Sequence, residues 1–218
     1  VSRFTPLLKK QIGTLSSQLI IVLTSLLTIV VVTRSLGLDS FGRVGLVGSI
    51  VGTIGVILQL GMGASLNRSL SAESSAEKQD QLFTNVLIIR LLILLPVSIL
   101  LTQFSNMLLE LVFSRSDLGS ILQIALVMLL TAEITLLFDV YFVAIGKVYI
   151  ALSISTFLAI TRLLMFSSWS GLSEVDYFTI MILSSFLGAC ISLVVFKLIL
   201  GRSFRSTNLN KIYETIAI

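Results

Sequence analysis

Residues 13–33 read GTLSSQLIIVLTSLLTIVVVT, with no ionisable side chain from end to end. About 20 such residues, wound as a helix, cross the ~30 Å hydrocarbon core of a bilayer. Further apolar runs follow near 44–64, 83–103, 118–145, 148–168 and 177–200. They fill nearly all of the 218 residues. The sequence therefore predicts an all-α, polytopic transmembrane bundle of six spans, one domain over 1–218. Composition agrees, at 56% hydrophobic and 12% charged, where a soluble domain carries about 25% charged residues.

The first run is longer than a signal-peptide core and lacks an A-x-A-like cleavage site, so it reads as an anchor. The chain has no histidine and one cysteine, Cys190, inside the sixth span. No Cys/His metal site and no Ser-His-Asp or Cys-His nucleophile can be assembled. There is no Walker A sequence. No cofactor is expected. The net charge of +4 is spread beside the spans rather than gathered in one patch, so no nucleic-acid partner is expected.

The basic residues set the topology. Arg3, Lys9, Lys10, Arg68, Lys78, Lys147, Lys197, Arg202, Arg205 and Lys211 fall on one side of the bundle. Only Arg34, Arg43 and Arg115 fall on the other. Positive residues stay inside, so both termini are expected in the cytoplasm. Gly37 offers a C-cap for span 1, and Asp39 or Ser40 an N-cap for span 2. Segment 67–82, NRSLSAESSAEKQDQL, reads as a polar cytoplasmic loop. Met107–Phe113 reads as a short amphipathic helix along the outer interface. Trp169, Tyr177, Phe178 and Tyr149 fit an aromatic belt, and Pro96 is expected to kink span 3. Gly45, Gly48, Gly52 and Gly55 form one stripe on span 2, expected to let a neighbouring helix approach closely or to serve as a gliding surface.

Arg90, Glu133, Asp139 and Arg162 lie inside spans. Each ionised group at mid-bilayer costs about 2.5–3.5 kcal/mol, so they must meet each other, the bundle interior or a watery cavity. Counting 1.5 Å per residue from the span ends predicts two couples, Glu133–Arg162 and Arg90–Asp139. Glu133 and Asp139 are six residues apart and so point from different faces of one helix. The couples either hold helices in register or line a cavity for an anionic substrate. Arg34, at the outer end of span 1, joins that list or simply snorkels. Gln18, Gln59 and Asn85 are neutral polar groups that line a cavity or bond between helices.

The stretch Arg34–Gly42, RSLGLDSFG, is followed by the glycine-rich span 2 and by Gly61–Arg68, GMGASLNR. With Arg90, the Gly146-Lys147 turn and Thr161-Arg162-Leu163-Leu164, it resembles the O-antigen and lipid-linked-oligosaccharide flippases of the multidrug/oligosaccharidyl-lipid/polysaccharide exporter superfamily. The resemblance implies a transporter rather than an enzyme, in the bacterial inner membrane. It would move an undecaprenyl-diphosphate glycan between leaflets by alternating access. It implies that Arg90 and Arg162 attract diphosphate or acidic sugars while Glu133 and Asp139 balance them. Its partners are the lipid-linked anionic oligosaccharide and membrane lipids. The family has about twelve spans, and the chain resembles the N-terminal six. The tail Asn210–Ile218, NKIYETIAI, resembles the approach to a seventh span, and Val1 reads as a GTG-initiated or incomplete start. A truncated, inactive half-transporter or structural subunit, a homodimer or second half-bundle, and a membrane enzyme of glycan assembly are the alternatives.

Overall fold

The computed structural model of the chain describes residues 4–59, 61–113, 117–201 and 204. Helix α1, Phe4–Leu36, ends at Gly37. Gly37 has φ 77°, a left-handed backbone that only glycine adopts cheaply. Helix α2, Leu38–Gln59, starts at once. Asp39 therefore sits inside the first turn of α2, where a carboxylate complements the helix dipole, rather than ahead of it as a cap.

A second break follows at Gly61, φ 72°, and α3 runs Met62–Ala72. This corrects the expected loop. Leu66 and Leu70, four residues apart, are fully buried, while Asn67 and Arg68 between them are exposed. Only Glu73–Ser75 is non-helical before α4, Ala76–Gln103. Helix α4 continues through Pro96. Then come α5, Ser105–Phe113, α6, Gly119–Ala144, α7, Val148–Ser168, and α8, Glu174–Val194, which runs on into a π-helical turn, Val195–Ile199. The start of α8 is set by a capping box. Ser173 Oγ accepts from Asp176 N, and Asp176 Oδ2 accepts from Ser173 N at 3.0 Å, so orphan N–H groups at the helix start are satisfied.

Among the described residues, five segments are long and apolar enough to cross a membrane: Thr14–Gln59, which takes in most of α1 and all of α2, then Ala76–Gln103, Gly119–Ala144, Val148–Ser168 and Glu174–Leu198. The chain is an all-α, multi-pass membrane bundle. Arg3, Arg115, Arg202, Arg205, Lys211 and the tail 210–218 lie outside the described residues.

Helix α6 is the hub, touching α2, α3, α4, α5, α7 and α8. At its Gly146 end Phe83, Phe138, Tyr141, Phe142 and Phe196 interlock with Leu66 and Leu70. Phe83 lies 4.7 Å from the Tyr141 ring and 5.1 Å from Phe138. At the Gly37 end Val44, Val47 and Val51 of α2 meet Leu118, Ile121, Ala125 and Phe178, and Leu109 of α5 closes this cluster. Helix α1 leans chiefly on α7. Its Leu15, Leu19, Leu23, Leu26 and Leu27 are exposed, as lipid-facing residues must be.

The glycine stripe divides. A Cβ at Gly55 would stand 3.0 Å from Leu129 Cδ1, so this glycine lets α2 close on α6. A Cβ at Gly45, Gly48 or Gly52 would meet nothing within 4 Å among the described residues. Among the described residues, the close packing expected along the stripe is thus found at Gly55 alone. A tighter approach occurs at Gly188 of α8, where a Cβ would stand 2.6 Å from Leu158 Cδ1 and 3.1 Å from Thr135 Cγ2. Thr135 is stiff and also donates to Ser185 O at 2.9 Å. Gly188→Ala is therefore expected to destabilise the bundle by about 1–3 kcal/mol, the usual cost of overpacking. The thermal midpoint in detergent measures this, and an unchanged midpoint would show that the contact yields freely.

Candidate functional site

Helices α4 and α6 run antiparallel, and their contacts fix the register. Tyr141 Oη donates to Asp80 Oδ1 at 2.8 Å. Phe83 packs against Phe138 with the rings tilted at 52°. One further step along the pair brings Arg90 onto Glu133, whose Oε2 accepts from Arg90 Nη2. The predicted Arg90–Asp139 couple is replaced by Arg90–Glu133. The reason is the start of α4 at Ala76, seven residues before the apolar run begins at 83. That places Arg90 about 10 Å deeper, level with Glu133.

The Arg90–Glu133 pair sits at the break between α2 and α3. Arg90 Nη1 donates to the Gln59 carbonyl at 3.3 Å, and Gln59 Nε2 donates to Glu133 Oε1 at 3.4 Å. The break frees the Gln59 carbonyl, and a backbone group without a partner is expensive in lipid. Arg90 is only 2% exposed and Glu133 5%. This cluster thus serves the backbone as well as pairing two charges.

Arg162 is level with Glu133, as expected, but points elsewhere. Ser155 Oγ donates to Asp139 Oδ2 at 3.4 Å, which sets the antiparallel register of α6 and α7. Ala132, Thr135, Leu136 and Asp139 make one stripe of α6, and Glu133 lies roughly 120° around the helix from Asp139 at 100° per residue. The Glu133–Arg162 couple is corrected for that reason. Arg162 Nε donates to Ser184 Oγ at 2.8 Å and Nη2 reaches Ser185 Oγ at 3.5 Å. Among the described residues no carboxylate forms an ion pair with it.

The α6 stripe, Ser155 and Arg162 of α7, Tyr177 and Ser185 of α8, and Ser25 and Thr28 of α1 line a partly open cavity of about 400 Å³. Arg162 and Asp139 stand at two levels of it, seven α7 residues or about 10 Å apart along the axis. Asp139 Oδ1 is buried with no hydrogen-bond partner among the described residues. The cavity thus offers a guanidinium flanked by hydroxyls at one level and an acceptor with spare capacity at the other. A pocket this size takes a small ligand or the head of a larger one.

Of the five residues singled out from the sequence, Arg162 and Asp139 share this cavity, and Arg90 and Glu133 share the helix break. Arg34 is exposed in the last turn of α1 and lies outside the cavity lining. Gln59 belongs to the break, Asn85 is buried in α4, and Gln18 is exposed. Two features were missed. The first is the Asp80–Tyr141 bond, hidden because Asp80 lies in the polar stretch 67–82, whose composition points to a loop. The second is Arg43, whose Nη2 meets Asp117 Oδ2 at 2.9 Å and whose Nε lies 3.3 Å from Glu174 Oε1, tying α2 to the starts of α6 and α8. The carboxylates beside spans 4 and 6, Asp117 and Glu174, were its sequence signal.

A family model described as "polysaccharide biosynthesis protein" matches residues 7–217. No curated protein and no solved structure shows significant similarity to the chain. A match across nearly the whole bundle assigns it: the chain belongs to the polysaccharide biosynthesis protein family, as one of its multi-pass membrane members.

Proposed function

We propose that the chain acts in the translocation of a lipid-linked, diphosphate-bearing oligosaccharide across a bacterial plasma membrane, by alternating access and without catalysing a covalent step. The observation that carries this reading is Arg162, a guanidinium held by serines at an intramembrane cavity, with no carboxylate among the described residues paired to it. Intramembrane charges are costly and mark substrate paths. A planar guanidinium among hydroxyls suits phosphate oxygens. Asp139, at the other level of the cavity, suits sugar hydroxyls. The family supports a polysaccharide cargo, and the positive residues support an orientation with the Gly146 end and both termini in the cytoplasm.

Complementation tests the reading. In a bacterial strain lacking its own lipid-linked-oligosaccharide flippase, the chain is expected to restore surface polysaccharide. Arg162→Ala is expected to abolish the rescue at equal membrane abundance. Rescue by Arg162→Ala as strong as by the parent chain would contradict the proposed role of the cavity.

A further inference from the structure

We infer that Ser184 is the positioning residue for Arg162: it holds the guanidinium by its Nε–H from behind the cavity wall, so that the Nη end is what meets a phosphate. This rests on the transport reading above and deepens it, because it assigns the edge of the guanidinium that the diphosphate takes.

The donors of Arg162 divide into two groups. A guanidinium has five N–H bonds, one on Nε and two on each Nη. Nε donates to Ser184 Oγ at 2.8 Å, and Nη2 reaches Ser185 Oγ at 3.5 Å. Those two nitrogens form the side edge of the fork, and α8 takes both. The short bond to Ser184 is the stronger hold, since hydrogen bonds weaken towards 3.5 Å. Nη1 makes no bond among the described residues. The Nη end is therefore the edge left for a bidentate oxyanion.

Ser184 is itself fixed. Its hydroxyl donates to Met181 O at 2.9 Å, on the preceding turn of α8. A serine hydroxyl has a single proton, so its oxygen faces Arg162 as an acceptor. Ser184 is 1% exposed.

The two serines also differ in place. Tyr177, Met181 and Ser185 recur every four residues and form the α8 side of the cavity, whereas Ser184 does not line it. Arg162 itself lies on the cavity-lining stripe of α7. Ser184 stands about 100° around α8 from Ser185, and so grips the guanidinium from the side away from the open space. A long arginine side chain loses rotamer freedom on meeting a ligand. Fixing it in advance moves that cost from binding to folding.

The test is nuclear magnetic resonance of the chain in lipid nanodiscs with isotope-labelled arginine. The Arg162 signals are identified by their loss in Arg162→Gln. Undecaprenyl diphosphate is then titrated in. The Nη signals are expected to shift with saturation, while the Nε–H signal stays in place. In ligand-free Ser184→Ala the Nε–H is expected to exchange with deuterium about tenfold faster than in the parent, and affinity for undecaprenyl diphosphate to fall roughly 3- to 10-fold. A shift of the Nε–H signal as large as that of the Nη signals overturns the inference, because the ligand then takes the side edge. Equal affinity in Ser184→Ala and the parent overturns it too. The parent alone reads the edge, so the test stands even if Ser184→Ala does not fold. No saturable binding by the parent overturns the transport reading and this inference with it, whereas the other two contrary results leave that reading intact.

Discussion

Arg90→Ala alone is expected to cost the folded bundle about 3–5 kcal/mol, the usual penalty for breaking a buried ion pair from one side. Two groups lose the Arg90 donor at once: the Glu133 carboxylate, with a side chain 6% exposed and left with the neutral Gln59 amide at 3.4 Å, and the Gln59 carbonyl at the helix break. Desolvation of the remaining charge dominates, because the pair itself roughly balances its own burial. The combined variant, Arg90→Met with Glu133→Gln, is therefore expected to lie within about 1–2 kcal/mol of the parent. Unfolding by titrated denaturing detergent, followed by circular dichroism, measures both. A loss below about 1 kcal/mol for Arg90→Ala alone would mean that Glu133 finds water or another donor, and the cluster at the break would lose its structural role.

The same cluster shows where sequence reasoning carries and where it stops. Long, predominantly apolar runs announce the spans, because lipid demands them. The six-residue spacing of Glu133 and Asp139 correctly separates their faces, since helical periodicity needs no tertiary information. Pairing partners needs register, and register depends on where a helix begins rather than where its apolar part begins. Residues 76–82, AEKQDQL, are polar and helical, so counting from 83 moved Arg90 by about two turns. Helix α3 was hidden by the same polarity, although the Leu66–Leu70 spacing was a legible sign of one buried face. The pair Gly61 and Gly63 marked the break, which a continuous hydropathy run conceals. Gly45, Gly48 and Gly52 illustrate a different limit: sequence shows that a stripe permits close approach, not whether a helix takes it up.

Arg162 carries the second large expectation. A hydrogen bond to a charged group contributes about 1.5–3 kcal/mol, and each 1.4 kcal/mol is a factor of ten in affinity. Arg162→Gln keeps a donor for Ser184 and Ser185 but removes the charge. It is expected to weaken binding of a polyprenyl diphosphate by roughly 10- to 100-fold. Lys147→Gln removes an equal charge in the turn between α6 and α7, away from the cavity lining, and is expected to leave affinity within about twofold. Stability follows a different pattern, because among the described residues Arg162 has no paired carboxylate that its loss would strand. Arg162→Gln is thus expected to bind poorly while folding well, the reverse of the Arg90–Glu133 double variant.

The most direct measurement is a binding isotherm for undecaprenyl diphosphate with the chain in lipid nanodiscs, for the parent, Arg162→Gln and Lys147→Gln, with uncharged undecaprenol as the competing ligand. The cavity account predicts saturable binding that undecaprenol does not displace, lost in Arg162→Gln and kept in Lys147→Gln. Equal affinity in all three proteins would contradict it.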